Sequence, residues 1–189
     1  MQDLDSPHLK KSLPRYLDLE ESVSLLDHVD GANQARDYCI LTLFLNCGLR
    51  ISELVGLNVA DVRGNQLRVL GKGNKERMLP VPAKLASALR KRTGVWLFPG
   101  DVQGHCGVDY VAKRIKTVTG YPSHSLRRRF ATCVYYRNGC NIVLVSRMLG
   151  HANIATTMRY IGLVQDEMRN AVESTTRTDM RLTHAHEPG

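Results

Sequence analysis

Gln66-Leu-Arg-Val-Leu-Gly-Lys-Gly-Asn-Lys-Glu-Arg-Met-Leu-Pro-Val81 breaks the helical period of the chain around it. Its two ends, Gln66–Leu70 and Arg77–Val81, are short β-rich runs. They flank Gly71-Lys72-Gly73-Asn74-Lys75, so the segment predicts an antiparallel hairpin with a glycine-rich turn. Outside it, apolar residues recur at helical spacing. Upstream, Asp18 caps a first helix with Glu20 and Glu21 in its opening turn, where the helix dipole favours carboxylates, and Gly31 stops it. A second helix from about Asn33 to Cys47 carries Tyr38, Ile40, Leu41, Leu43, Phe44 and Leu45 and is apolar nearly all round, as befits a helix at a domain's centre. Gly48 ends it, and a short third helix begins near Arg50 with Ile51, Leu54, Val55 and Leu57 on one side. Downstream, helical spacing covers 83–93, 107–119, 124–138, 141–149, 153–161 and about 163–174. The expected fold class is mostly α with a small antiparallel β-sheet (α+β).

The 189 residues suffice for one well-cored domain with tails. Residues 1–17 hold two prolines, mixed charges and no helical period, and read as a linker or arm that something preceded. Residues 18–175 read as the folded domain and 176–189 as a flexible polar tail. No apolar run approaches the ~20 residues of a membrane helix, and no signal-peptide core stands at the N-terminus, so a cytoplasmic protein is expected. The five cysteines Cys39, Cys47, Cys106, Cys133 and Cys140 are odd in number and form no C-x-x-C pair, which argues against a disulfide framework and a zinc knuckle. Neither His105-Cys106 nor His184-Ala-His186 supplies four metal ligands. Twenty-six Lys and Arg against eighteen Asp and Glu give a net charge of +8, the footprint of a polyanion binder, although charge alone also serves solubility.

Four clusters bear on chemistry. In Gly48-Leu-Arg50-Ile-Ser-Glu53-Leu, Arg50 stands just after a helix break and can aim its guanidinium at an anion; taken alone it reads equally as a surface arginine paired with Glu20 or Asp61. The hairpin turn is not a P-loop, because strands flank it; Lys72 at its tip can reach into a groove to donate a proton, or is a solvated turn lysine. In His124-Ser-Leu-Arg127 a proton donor and a fixed cation lie three residues apart on one side of a helix. Arg128 and Arg129 read as backbone-phosphate contacts or surface charge, since three consecutive residues cannot all face one site. Lys75 and Arg77 are further candidate DNA contacts. In Leu149-Gly150-His151-Ala-Asn-Ile-Ala-Thr-Thr-Met-Arg-Tyr160, Gly150 ends a helix, His151 lies in the break, and Asn153 caps a helix that presents Tyr160. A tyrosine in such a place is ordinarily filler.

Taken together, Gly-Leu-Arg50-Ile-Ser-Glu-Leu, Gly-Lys72-Gly-Asn-Lys-Glu-Arg, His124-Ser-Leu-Arg127 and Leu-Gly-His151 with Tyr160 nine residues on resemble, in order and spacing, the signature of the tyrosine recombinase and phage integrase family. The match is nearest the Xer-type recombinases and runs from about Leu13 to Tyr160. The resemblance implies the catalytic-domain fold of these DNA breaking-rejoining enzymes. It also implies that Arg50 and Arg127 clamp the scissile phosphate with His124 and His151, the first histidine also serving as a general acid/base. Lys72 would protonate the leaving 5′ oxygen, and Tyr160 would attack to give a 3′-phosphotyrosyl intermediate that conserves the bond for religation without metal, ATP or other cofactor. A phenol with a pKa near ~10 is a weak nucleophile, and a strongly positive pocket suits it. A metal-dependent nuclease would instead cluster Asp and Glu, which here are scattered.

Implied partners are double-stranded DNA and further copies of the chain, as a tetramer on DNA joined through the C-terminal helix; a second recombinase or accessory protein is also admitted. The rival readings are a type IB topoisomerase, with a similar residue set, and a non-catalytic DNA-binding regulator, whose mark would be the loss of one of the six residues.

Overall fold

Seven consecutive residues, Cys39 to Leu45, are buried, and since they are helical the helix is enclosed on all sides along this stretch. They belong to α1 (Gln34–Cys47), around which the rest is wrapped. The structure, a computed structural model, describes residues 33–161, apart from the side chains of Arg159 and Tyr160. After α1 come α2 (Ile51–Val55), a 3₁₀ turn (Val59–Asp61), β1 (Val62–Arg63), β2 (Gln66–Leu70), β3 (Glu76–Pro80), α3 (Ala83–Arg90), β4 (Pro99–Val102), α4 (Val108–Thr119), α5 (Ser123–Arg137), α6 (Ile142–Leu149) and α7 (Ile154–Ile161). The mostly helical domain with a small antiparallel sheet is thus the one expected. The helix expected from Asp18, the arm, the helix at 163–174 and the tail lie outside the described residues.

The hairpin forms as read. β2 and β3 pair antiparallel with Val69 opposite Arg77 and Leu70 opposite Glu76. Gly71 N–H donates to Lys75 O across the turn (2.8 Å), and Gly73 and Asn74 take left-handed φ of 73° and 61° to reverse the chain. Leu67, Val69 and Leu79 are buried, so one face of the hairpin enters the core. Two strands were not expected. β1 adds a third strand beside β2, and β4 bridges back to His105; runs of two and four residues are too short to show a period. The helix expected at 83–93 ends at Arg90, where Arg92 N–H turns back to Leu89 O.

The buried acids are each tied to arginine. Asp37 accepts from Arg36 Nε at 3.1 Å and Arg114 Nε at 2.6 Å, and Asp61 accepts from Arg68 Nε at 2.8 Å. All five cysteines are free thiols; Cys39, Cys47 and Cys106 are core residues. No helix among the described residues is long and apolar enough to cross a membrane.

The apolar interior divides in two. The larger cluster is built on α1, the sheet and α3–α4 and includes Leu49 and Leu126. The smaller gathers Phe130, Ala131, Tyr135, Val145, Leu149 and Ile161 from α5, α6 and α7. Leu126 and Phe130, on neighbouring turns of α5, belong to different clusters, and the buried Arg127 between them lies on the seam.

Candidate active site

Two helices end at that seam, each on a left-handed glycine. α1 closes at Gly48 (φ 57°, ψ 37°), whose N–H returns to Phe44 O. α6 closes at Gly150 (φ 65°, ψ 41°), whose N–H returns to Ser146 O and Arg147 O. Neither has room for a side chain. A Cβ on Gly48 would fall 2.1 Å from Phe130 Cδ1, and one on Gly150 would fall 2.9 Å from Arg77 Nη1.

The last carbonyls of a helix lack partners and carry the negative end of its dipole. Arg127 answers both ends at once: Nη1 donates to Gly48 O and Nη2 to Leu149 O (2.8 Å). Arg50 Nη1 reaches the same Leu149 O from the other side at 3.4 Å. His151, just past the α6 break, brings Nε2 to 3.2 Å from Arg127 Nη2. Arg50, Arg127 and His151 are therefore one cluster. Arg127 is almost closed off, with 6% of its side chain exposed, whereas Arg50 keeps 35%, so of the two guanidiniums it is Arg50 that faces solvent.

Glu53 holds this arrangement. Its side chain, 3% exposed, accepts from Arg50 N (2.9 Å) and Arg50 Nη1 (2.8 Å), and takes a two-pronged contact from Arg77 Nη1 (3.0 Å) and Nη2 (2.8 Å). Burial alone would push its carboxyl pKa up, but the hydrogen bonds from Arg77 and from the Arg50 backbone, with the charge of Arg77, hold it below the usual carboxylate range. Arg50 is thus paired with Glu53, and Asp61 with Arg68. Sequence reasoning missed this glutamate. Its spacing of three from Arg50, the geometry by which a side chain in the first helical turn caps the N-terminal N–H, was the available signal.

His151 carries no charge at neutral pH: burial, then the charges of Arg127, Arg50 and Arg77, push its pKa down from 6.5 to about 4. It offers the cluster a hydrogen bond rather than a cation. Its other nitrogen, Nδ1, lies 2.9 Å from Thr157 Oγ1 on α7, the helix that also carries Tyr160 one turn further on.

The remaining expected residues are placed less closely. Lys72 is exposed at the hairpin tip. The stem beneath it packs on the cluster, since a Cβ on Gly71 would lie 3.3 Å from Arg77 Nη1 and 3.5 Å from Glu53 Oε1. His124 is exposed in the first turn of α5, three residues before Arg127. Tyr160 lies in α7 as expected; its side chain is outside the description.

Of the four candidate DNA contacts, Lys75 is exposed and Arg128 half-buried. Two are corrected. Arg77 has 12% of its side chain exposed and joins Glu53 to the α6 end, its Nε donating to Met148 O at 3.0 Å. Arg129 is 6% exposed, because α5 is packed by α1 on one side and by α6 and α7 on the other, so residues two apart both turn inward.

The phage integrase family model matches residues 15–167. Tyrosine recombinase XerC of Caldanaerobacter subterraneus subsp. tengcongensis is 35% identical over 191 aligned residues, which cover 90% of this chain and 54% of that protein. XerC of Chromobacterium violaceum is 37% identical over 180, covering 85% of this chain and 60% of that protein. The chain thus spans little more than half the length of these relatives. The crystal structure of XerA recombinase superposes with a TM-score of 0.69 at 25% identity, over 86% of this chain and 65% of that one. The catalytic domain of bacteriophage HP1 integrase superposes at 0.61 and 25% identity, over 84% of this chain and 93% of that one. The fold is accordingly the tyrosine recombinase catalytic-domain fold, and the chain belongs to the phage integrase family.

Proposed function

We propose that this chain is the catalytic domain of a site-specific DNA recombinase that acts through Tyr160. The observation that carries the reading is the meeting of Arg50, Arg127 and His151 at Leu149, immediately before the helix that bears Tyr160. Two guanidinium forks fixed by the fold match the extra negative charge of a phosphoryl transition state without rearranging.

Arg50 and Arg127 clamp the scissile phosphate, and neutral His151 adds a hydrogen bond to it. Tyr160 Oη attacks phosphorus while His124 serves as acid/base for the phenolic proton. The phosphorus–5′ oxygen bond breaks as Lys72 donates a proton to the departing oxygen, leaving a 3′-phosphotyrosyl bond. The reverse step on a second 5′ hydroxyl reseals the strand, and bond energy is conserved throughout. This chemistry needs no metal or ATP.

Double-stranded DNA is the partner, recognised in part by exposed Lys75 and half-buried Arg128. We further infer that residues 1–17 serve as a linker arm, that 18–175 form the catalytic unit, and that a helix at about 163–174 docks on a neighbouring copy within a tetramer on DNA. Residues 176–189 form a tail, and the protein works in the cytoplasm. The recombinase names of its relatives favour strand exchange over topoisomerase-type relaxation, and a full set of six residues disfavours a non-catalytic regulator.

The test is a nicked duplex carrying a candidate site, incubated without divalent metal and run on a denaturing gel. A covalent protein–DNA adduct is expected from wild type and none from Tyr160→Phe. An adduct that persists in Tyr160→Phe overturns the assignment. A two-site plasmid that is relaxed but never resolved or integrated favours the topoisomerase reading.

A further inference from the structure

We propose that Thr157 is a positioning residue for His151, whose hydroxyl lets the neutral imidazole change tautomer when a phosphate takes the place of Arg127 at Nε2. The inference rests on the function proposed above, and it stands on the geometry of the ring's two nitrogens.

Arginine donates hydrogen bonds and never accepts them. With Arg127 Nη2 at 3.2 Å from Nε2, that nitrogen is the acceptor and bears no proton. The proton of the neutral ring therefore sits on Nδ1 and is donated to Thr157 Oγ1, 2.9 Å away. Thr157 is fully buried, so no water competes for this bond. The main chain of His151 is held separately by the preceding helix: its N–H donates to Ser146 O (3.0 Å), and its carbonyl accepts from Ser146 Oγ (3.3 Å). One helix thus fixes the backbone of His151 and the next fixes its ring.

A phosphate oxygen on the DNA strand can only accept, so binding it requires a proton on Nε2. Protonating the ring outright is disfavoured beside Arg127, Arg50 and Arg77, with Glu53 the opposing charge among the described residues. The neutral alternative is the Nε2–H tautomer: as the half-buried ring swings off Thr157, Nδ1 loses its proton to solvent and Nε2 takes one up, and the ring returns with its charge unchanged. Nδ1 then needs a donor. A hydroxyl meets both demands, because it accepts from Nδ1–H in one state and donates to Nδ1 in the other. A carboxylate at 157 would lock the first state, and valine would serve neither.

The test combines ring ¹⁵N chemical shifts of His151 with the nicked-duplex adduct assay, on wild type, Thr157→Val and Thr157→Ser. Wild type is expected to show the Nδ1–H tautomer when free and to move toward Nε2–H on addition of inorganic phosphate. Thr157→Val is expected to give averaged shifts in the free state and to slow adduct formation about tenfold or more, the loss typical when a partner orienting a functional imidazole is removed. Thr157→Ser, which keeps the hydroxyl, should match wild type in both. The proposal is overturned if Thr157→Val keeps a single Nδ1–H tautomer and the wild-type adduct rate, if phosphate leaves the wild-type tautomer unmoved, or if Thr157→Ser fails as Thr157→Val does. An adduct indifferent to Thr157→Val sinks the proposal and leaves the recombinase reading intact. A tautomer that responds as described in a protein forming no adduct on any DNA upholds the Thr157 switch and counts against that reading.

Discussion

Replacing Glu53 with Gln keeps the side chain's shape and removes the charge on which Arg50 and Arg77 converge. The two halves of that contact are unequal. Arg50 is 35% exposed and regains water if released, so its share is small. Arg77 is 12% exposed and its two donors face a carboxylate that is 3% exposed. A Gln amide must turn an N–H toward one of those donors, leaving a buried cation without its counter-charge. Breaking one side of a buried pair costs about 3–5 kcal/mol, and the exposed Arg50 half points to the lower end, about 3 kcal/mol. For a domain of this size that is roughly 6–12 °C in Tm. The sign with pH follows from Glu53 being held below the usual carboxylate range: its contribution is complete above the unfolded carboxylate pKa and fades as pH falls through the lower folded value. The deficit of Glu53→Gln is therefore full at pH ~7 and narrows in acid. Far-UV circular dichroism melts of wild type, Glu53→Gln, Arg77→Met and the double variant measure it, and the cycle isolates the pair. A single variant within about 0.5 kcal/mol of wild type would refute the role given to Glu53.

Gly48→Ala should lose about 1–2 kcal/mol from its left-handed backbone and a further ~1–3 kcal/mol from the Phe130 contact; a urea midpoint that recovers in part with Phe130→Leu separates the two, and no loss contradicts the packing described. Wild-type stability should fall as pH drops from 6.5 toward about 4, because the unfolded state binds a proton at His151 that the folded state refuses; His151→Gln should flatten that slope in urea titrations at stepped pH. Lys75→Ala should weaken duplex binding and reduce its salt slope by about 1 with an unchanged unfolding midpoint. Arg77→Ala should do the reverse, lowering the midpoint first; fluorescence anisotropy at several salt concentrations beside thermal melts checks both.

What the sequence made legible was whatever a periodic pattern or a glycine can announce. The hairpin was readable because Leu67, Val69 and Leu79 alternate where the flanking chain does not. The central helix was readable because it is apolar all round, and the ends at Gly48 and Gly150 because only glycine sits easily there. Which arginines turn inward was harder. Arg77 shares a strand face with buried Leu79, two residues on, and that alternation could have withdrawn it from the DNA contacts. Arg129 gave no such sign, since α5 is enclosed on several sides and its buried face contains charge. The partnership of His151 with Thr157 spans a helix break, and no local spacing rule connects the two.

The location of the cluster follows from those same breaks. Each glycine stops a helix and leaves a carbonyl, Gly48 O or Leu149 O, at the negative end of a dipole inside the seam between the two apolar clusters. A buried carbonyl without a donor is costly. Arg127 answers both, so the guanidinium that the proposed function assigns to a phosphate is held first by the fold's own need to satisfy its helix ends. The side-chain entropy of fixing that arginine is lost on folding, which on the proposed function is the condition for an electrostatic site that does not reorganise as charge develops. Stability and chemistry are accordingly joined at Gly48, Glu53, Arg77 and Gly150. On the proposed function they are separable at Lys72 and His124, which are exposed on a hairpin tip and a first helical turn, outside the core.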